Sequence, residues 1–458
     1  MSTSHDQAMH FIYQQVLSRL LDYMSQAQRA SLQLLVQRLL VAAGGVERIG
    51  DFTLLLLDCG DRRSAHALAC VRAAQLIIAR RSRCTFNLRV ATARLAGVGS
   101  HALENCERSF SALFLHDDPR VRLLMVEEGQ VVPFDIRRPQ PRLREEREGL
   151  LLFGHMSGAH PHCLLGSRHH LALADALGKV LEADSEINAL ACAVPSRERH
   201  RYLAWARGCL RRAGLPTGSP LQTCARTLAG GLGHLHRDLL QRMQGTDQGQ
   251  PSLRHCVTWA TPLQLIAIDE LLHDLAAPQR LDSMLGHREG WADGMPALAA
   301  SSDPGLVAHL QGLRGEHFCQ RGYEEAFNGY VWRMRGTAPE IVAPGWETVR
   351  NEATAYFEQA FDLGDSQLAC LLYAPFTARG QRLDYFLRRC HPAMRVALPY
   401  LHRALQGREC PRAVEKWLMT NSGLDMAQLQ RLYRHHPLAG GGNALMAQLA
   451  RRDLDLRT

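Results

Sequence analysis

The chain has 458 residues, of which 46% are hydrophobic and 21% charged, and this balance excludes an intrinsically disordered protein. A chain of this length exceeds one hydrophobic core and predicts roughly two or three domains. Its longest apolar runs fall far short of the roughly 20 residues that a membrane helix needs. The N-terminal residues, MSTSHDQAMH, lack the basic and apolar segments of a secretory signal, so we expect a cytoplasmic protein.

Cysteine usage points to a reducing compartment. The 13 cysteines are spread along the chain from Cys59 to Cys410 without any C-x-x-C pair. A disulfide framework favours a short chain with an even, clustered set. We therefore expect small buried thiols, since many of them stand among apolar residues.

The basic residues are almost all arginine, because only Lys179 and Lys416 among the 53 are lysine, and the net charge is +8. Guanidinium groups bind phosphate bidentately, which leaves a nucleic-acid surface open. The arginines are nevertheless interleaved with acids, whereas a nucleic-acid site concentrates them on one element. We favour the interpretation that the arginines reflect a GC-rich, bacterial coding sequence.

Residues 1–135 are predicted to form a small α+β domain. Apolar positions at helical spacing from residue 9 to 43, with a break near Ser25, predict two helices. After Gly44-Gly45 the pattern changes to short apolar runs separated by helical segments. The predicted strands are 46–50, 52–58, 86–93, 121–127 and 130–134, and the predicted helices are 63–79 and 103–115.

Within residues 46–93, the order RIGDFTLLLLD, helix, FNLRVATA is similar to the second half of a GGDEF-type nucleotide-cyclase palm. The signature loop of that family is represented only by Gly50-Asp51-Phe52. The adjacent glycines and the acidic metal and phosphate residues are missing. The resemblance therefore implies a degenerate palm without cyclase activity and leaves nucleotide binding open.

The rest of the chain is predicted to be mostly α-helical. Residues 136–150 contain two prolines and alternating charges and predict a linker. A helical middle domain follows at 151–300, and a helical C-terminal domain at 305–458. The helices predicted in the middle domain are 171–181, 198–213, 220–243 and 262–275.

The stretch from Gly312 to Tyr373 has small residues and aromatics at spacings that let two helices pack closely. It resembles tetratricopeptide (TPR) and Sel1-like repeats, with departures in spacing. The resemblance implies a concave surface that binds another protein or peptide. A plain helical core accounts for the same stripe. The expected contact residues are Phe318, Tyr323, Phe327, Tyr330, Trp332 and Tyr356.

The segment 150–170, LLLFGHMSGAHPHCLLGSRHH, concentrates residues that carry chemistry. One hypothesis is a hydrolase nucleophile loop at Ser157 with His155, although the elbow of α/β-hydrolases requires G-x-S-x-G and here Gly154 and Ser157 are three apart. The other is a metal site, because imidazole and thiolate suit zinc, although the regular spacing of structural zinc is missing. Its predicted ligands are His160, His162, Cys163 and His169.

A third hypothesis is anion or nucleic-acid binding by Arg197, Arg201 and Arg212, which share one side of a predicted helix. The sequence as a whole favours a non-catalytic interaction or regulatory scaffold whose partner is a protein or peptide, without a cofactor. The alternative is a hydrolase or metal-dependent enzyme centred on residues 155–170.

Overall fold

The computed structural model describes residues 2–82, 84–138, 143–158, 161, 163–217, 224–244, 263–272, 275, 280–336, 345–435, 445 and 449. It begins with two helices, α1 (Ser2–Tyr23) and α2 (Gln26–Ala43). Ser25 separates them because its side chain accepts a hydrogen bond from the Gln28 amide at 3.2 Å, while its own amide donates to Gln28 Oε1 at 2.8 Å. This capping box starts α2 and confirms the predicted break near Ser25.

The described part of the chain contains one mixed sheet. Its strands pair in the order β4-β3-β2-β1-β5-β6, with β4 antiparallel to β3 and the other neighbours parallel. The four predicted strands between residues 52 and 134 are confirmed. The strands are β1 (Thr53–Leu57), β2 (Asn87–Ala93), β3 (Val121–Glu127), β4 (Gln130–Pro133), β5 (Ile187–Cys192) and β6 (Gln264–Ala267).

The predicted strand at 46–50 is wrong, because Val46–Asp51 forms a 3-10 helix. The Arg48 amide donates to the Gly45 carbonyl, and the Phe52 amide donates to the Ile49 carbonyl. These local bonds occupy backbone groups that a strand would present to a neighbour, and the Ile49 side chain is buried in the core. The segment therefore leads into β1 rather than pairing with it.

Residues 151–300 were expected to be helical, and the structure corrects this. They contribute β5 beside β1 and β6 beside β5, although a helix was predicted at 262–275. Strand β5 is a short, mostly buried apolar run in a parallel sheet, where the alternation that marks a strand disappears, and β6 has only four residues at the edge of the sheet. The predicted linker is also corrected, since α5 (Leu143–Ser157) begins inside it.

Helices cover both faces of the sheet. Leu54 and Leu56 of β1 share a core with α1, α2, α3 (Arg62–Ser82), α4 (Ser100–Ala112) and α9 (Arg280–Leu285). Leu55 points to the opposite face, where it shares a core with α6 (Arg168–Ala183). Helix α8 (Cys224–Gln244) packs on α6, and α7 (Ser196–Arg212) packs on α8.

This strand order makes β1 the point from which the connections diverge. One connection leaves β1 through α3 to β2, whereas β5 enters on the other side of β1 after α6. Open parallel sheets bind ligands at such a switch point, outside the carboxyl ends of the two strands. A ligand site is therefore expected outside the carboxyl ends of β1 and β5.

The helices after residue 296 share one apolar core with α5, α6, α7 and α8, including Leu151, Trp205, Phe327 and Phe361. Leu150–Phe153 is a buried part of α5 in this core. These helices are α10 (Ala297–Ala300), α11 (Pro304–Phe318), α12 (Tyr323–Arg335), α13 (Trp346–Phe361), α14 (Asp365–Tyr373), α15 (Leu383–Cys390), α16 (Leu398–Leu405), α17 (Arg412–Ser422) and α18 (Met426–Arg434).

Candidate ligand-binding crevice

The turn from β1 into α3 is held by a buried carboxyl group. Asp58 follows β1 directly and is 1% exposed. Its Oδ1 atom accepts hydrogen bonds from the Gly60 amide at 2.9 Å and from Ser64 Oγ at 2.8 Å. Gly60 has a φ of +73°, in the left-handed region that glycine adopts without strain. The three residues together fix the path of the chain at the end of β1.

Asp61 lies on the same turn and caps α3, because its Oδ1 atom accepts a hydrogen bond from the Ser64 amide at 2.7 Å. Desolvation raises the pKa of Asp61 to about 6, and the charges of Asp58 and Asp293 act in the same direction. The Ser64 amide and the Arg63 guanidinium oppose this rise in pKa. The charge of Asp61 therefore changes close to neutral pH.

A crevice of about 250 Å³ opens beside this turn, between the carboxyl ends of β1 and β5 and on the face of the sheet covered by α6 and α8. Most of its wall is aliphatic. The leucines that line it are Leu56, Leu57, Leu173, Leu177, Leu190, Leu203, Leu228, Leu232, Leu265 and Leu298.

Several polar groups of the crevice wall are engaged with the protein itself. Arg199 donates from Nη1 to Asp269 Oδ1 at 3.0 Å and to the Val194 carbonyl at 2.9 Å. His170 hydrogen-bonds to the backbone of Leu298, and burial lowers its pKa to about 3, so its ring is neutral near pH 7. These groups hold the far wall of the crevice rather than pointing free into it.

The β1 end of the crevice has a different character, because Asp61, Arg63 and Ser64 line it. Within the described residues, no hydrogen bond engages the Arg63 guanidinium. In dinucleotide-binding folds, a glycine-rich turn at this position presents backbone amides to phosphate. Here two carboxyl groups, Asp58 and Asp61, stand on the turn. The arrangement thus suits a compact apolar molecule with one polar end better than a nucleotide.

The predicted nucleophile loop has a different geometry from an elbow. Residues 150–157 belong to α5, and Ser157 Oγ donates to the Gly154 carbonyl at 3.3 Å within that helix. His155 is 1% exposed, and its ring lies 5.3 Å from the Phe376 ring. Burial lowers the pKa of His155 to about 3. Ser157 and His155 therefore both belong to the helical core.

Of the predicted metal ligands, His160, His162 and the Cys163 side chain lie outside the described residues. His169 is buried and hydrogen-bonds to the backbone of Ser301, and desolvation lowers its pKa to about 4. In the part of the chain that the structure describes, no cluster of three or more histidine, cysteine, aspartate or glutamate side chains is arranged to hold a metal ion.

Three of the six predicted partner-binding aromatics are core residues, which corrects that prediction. Tyr323, Phe327 and Tyr330 are at most 8% exposed. The Phe327 ring lies 5.4 Å from the Trp291 ring and 5.3 Å from the Trp346 ring. These contacts bury the face of α12 that the sequence pattern predicts to bind a partner.

The other three aromatics differ from one another. Phe318 is half-buried, with its ring 4.2 Å from the Tyr373 ring. Tyr356 is also half-buried, and burial raises the pKa of its hydroxyl. Trp332 is 59% exposed, and its role as a contact residue stays a prediction.

The predicted anion-binding arginines lie along α7. Arg197 and Arg212 are exposed, Arg201 is half-buried, and Arg212 Nη1 donates to the Gly208 carbonyl at 3.4 Å. At 1.5 Å per residue, Arg197 and Arg212 are separated by about 22 Å along the helix. The three side chains therefore form a line on one helix rather than a compact anion site.

The crevice was missed at the level of sequence. Its signal is an apolar run that ends in Asp58-Cys59-Gly60-Asp61 and leads into a helix, which is typical of the carboxyl end of a parallel strand. The pattern predicts the strand that carries this run, but the site also needs β5, which no local pattern predicts.

In the described residues, no helix combines the length and apolar character needed to cross a bilayer. Comparisons of the chain with models of protein families, with curated proteins and with solved structures give no match.

Proposed function

We propose that this chain is a regulatory protein that binds a small amphipathic molecule in the crevice between β1 and β5. The observation that supports the proposal is an aliphatic crevice at the switch point of the sheet, with charged groups gathered at its β1 end. Ligand sites are usually concave and apolar, with a few polar groups that orient the ligand.

The crevice also indicates the chemical class of the ligand. Its volume of about 250 Å³ lies just below the roughly 300–1,000 Å³ of sites for drug-sized ligands, so the ligand is compact. Arg199 is engaged by Asp269, so among the described residues that line the crevice we assign the head group to Arg63. We therefore propose an anionic head, such as a carboxylate, on an alkyl or aromatic body.

A route from the crevice to the C-terminal helices supports a regulatory role. Leu298 and Ser301 line the crevice, and Asp303, two residues later, caps α11 by accepting a hydrogen bond from the Gly305 amide at 2.8 Å. The Asp303 amide also donates to the Gly97 carbonyl in the loop after β2. A ligand that moves Leu298 acts directly on the start of α11.

The test is calorimetric titration with an alkyl carboxylate, and with the alcohol and the amine of the same chain length. We expect the carboxylate to bind most tightly, and Arg63→Gln to weaken it about tenfold while leaving the alcohol unchanged. Leu177→Trp, which fills the crevice from α6, should abolish binding of all three. Val41→Trp, at a position that is 79% exposed on α2, is the matched control. Equal binding to the Leu177→Trp protein would overturn the proposal.

Protein binding by residues 312–373 is a second proposed function. It is favoured by Trp332, which is 59% exposed at the edge of a groove between α11 and α12. A large aromatic side chain left in water beside a groove is typical of a contact surface.

A further inference from the structure

We propose that the groove between α11 and α12 binds an acidic segment of a partner protein, with an apolar side chain of that segment against Trp332. This inference rests on the second proposed function, protein binding, and names the chemistry of the partner. It is independent of the crevice between β1 and β5.

The groove exists because small residues bring the two helices together. A Cβ atom at Gly315 would lie 2.3 Å from the Ala326 Cβ atom, and one at Gly312 would lie 2.5 Å from the Tyr323 ring. Such separations are closer than any side chain tolerates. The outer seam between α11 and α12 is therefore a depression of about 460 Å³ that Gly315, Ala326 and Gly329 line without long side chains.

The groove is lined by more cationic than anionic groups. Among the described residues that line it, Arg314, Arg321 and Arg333 stand against a single carboxylate, that of Glu325. The Arg321 Nε atom lies 3.8 Å from Glu325 Oε1, and both side chains are 65% exposed, so this pair contributes little and yields easily to a competing carboxylate.

Arg333 is arranged to meet a ligand. Its Nε atom donates to the Gly329 carbonyl at 3.0 Å, which holds the guanidinium beside a residue that lines the groove. Arginine binds carboxylates through two parallel hydrogen bonds. The other guanidinium nitrogens of Arg333 are the donors that we assign to a carboxylate of the partner.

Trp332 supplies the apolar part of the site. Covering an exposed indole removes apolar surface from water, and tryptophan and arginine dominate the binding energy of protein interfaces. Because Trp332 and Arg333 are adjacent on α12 and both line the groove, one short segment reaches both. The partner segment is thus acidic with an aliphatic or aromatic side chain among its carboxylates.

A peptide fits this groove better than a single-stranded nucleic acid. Glu325 accepts hydrogen bonds from the backbone amides of a peptide, and a single-stranded nucleic acid has no backbone amides to donate. The floor of the groove, formed by Gly315 and Ala326, leaves room for a side chain of the peptide. Grooves that bind single-stranded nucleic acids instead carry several aromatic side chains on which successive bases stack. Trp332 is the one aromatic side chain among the described residues that line the groove.

The test is fluorescence anisotropy with labelled peptides that share one central leucine and differ only in the flanking residues, which are glutamate, glutamine or lysine. A single-stranded oligothymidine of the same net charge as the glutamate peptide is the fourth probe. We expect only the glutamate peptide to bind well. Its affinity should fall about tenfold in Arg321→Ala/Arg333→Ala and in Trp332→Ala, and should fall with added salt. Arg412→Ala, at an exposed position on α17, should bind as the unchanged protein does.

Other outcomes overturn the inference in distinguishable ways. Equal, Trp332-dependent binding of the glutamine and glutamate peptides would leave protein binding in place and remove the acidic partner. Tighter binding of oligothymidine would replace the peptide with a nucleic acid. If sedimentation shows that the unchanged protein is a dimer and that the Trp332→Ala protein is a monomer, the groove is assigned to a second copy of the chain. If none of the four probes binds, and none changes the unfolding temperature of the protein when it is added, both the partner chemistry and the protein-binding proposal are overturned.

Discussion

A Cβ atom placed on Gly60 would lie 2.1 Å from the carbonyl oxygen of Ala102, so the β1–α3 turn and the first turn of α4 meet through backbone atoms. The φ of Gly60 is also positive, at +73°. We predict that Gly60→Ala lowers the free energy of unfolding by at least about 2 kcal/mol, because the clash adds to the strain of a left-handed alanine. Urea unfolding measures the change.

Gly129 provides the control for this prediction. Its φ is +72°, almost the same as that of Gly60, but a Cβ atom there would meet nothing within 4 Å. Gly129→Ala should cost only the conformational strain of about 1 kcal/mol. If the two variants lose equal stability, the contact between Gly60 and Ala102 does not constrain the turn.

Asp61 should make ligand binding depend on pH. Because desolvation raises its pKa to about 6, Asp61 is charged above that pH and repels an anionic head group beside Arg63. An alkyl sulfonate, which stays ionised throughout, should bind several-fold more tightly at about pH 5 than at about pH 7.5. Asp61→Asn keeps a side chain that caps α3 and should bind tightly at both pH values.

The same titration affects stability with a definite sign. A carboxyl group whose pKa is raised in the folded state stabilises the protein below its unfolded pKa of about 4, and this contribution is lost as pH rises through about 6. Asp61→Asn should remove that part of the pH dependence.

Identical sulfonate affinities at both pH values in the unchanged protein would contradict the proposed position of the head group.

Buried histidines should act in the opposite direction. Burial lowers the pKa of His155 to about 3, whereas an unfolded histidine has a pKa of about 6.5. The stability from the neutral His155 is therefore present above about pH 6.5 and is lost as pH falls towards 3. We predict that His155→Leu reduces the loss of unfolding free energy between about pH 7 and pH 5 by up to about 1.4 kcal/mol per pH unit.

Urea unfolding at several pH values measures this slope. His200→Leu, at an exposed position on α7, is the control for the exchange of a histidine for leucine. Asp61 and Asp303 contribute with the opposite sign in both proteins and cancel in the comparison. An unchanged slope in His155→Leu would show that this imidazole is accessible to protons in the folded state.

The ion pair between Arg72 and Asp118 should be the most costly one to break. Arg72 Nη1 lies 2.7 Å from Asp118 Oδ2, and both side chains are fully buried. Desolvation opposes ionisation of Asp118, but hydrogen bonds and charge from Arg120 and Arg72 lower its pKa to about 2. We predict that Arg72→Met costs about 3 kcal/mol in urea unfolding, because Asp118 loses a partner in a buried site.

Arg38 offers the comparison, since it pairs with Glu270 at 2.7 Å while the two side chains are 38% and 66% exposed. Arg38→Met should cost less than about 1 kcal/mol. Similar losses for the two variants would mean that the Arg72 site is hydrated.

Local patterns predict the first half of the sheet well, because β1 and β3 carry dense apolar runs. They also predict the break between α1 and α2, where Ser25 caps the second helix. They did not predict β5, whose place is decided by long-range contacts. The Asn188 side chain accepts a hydrogen bond from the Thr53 amide at 2.7 Å, across 135 residues of sequence. Because the crevice lies between β1 and β5, no local pattern contains it.

The aromatic stripe of α12 shows a second limit of local patterns. Helical spacing identifies the face that carries Tyr323, Phe327 and Tyr330, but core and interface faces have the same spacing. Their burial follows from Gly312, Trp291 and α13, which lie across from them in the fold. Trp332 is on another side of the helix and stays exposed.

The most direct test of the central claim is to locate a bound ligand by photo-crosslinking. An alkyl carboxylate with a diazirine in its chain is irradiated with the protein, and the labelled peptides are identified by mass spectrometry. The account predicts labels on the crevice walls around Leu177 and Leu228, lost in Leu177→Trp and reduced by excess unlabelled carboxylate. Labels that fall elsewhere, or that persist unchanged in Leu177→Trp, would contradict it.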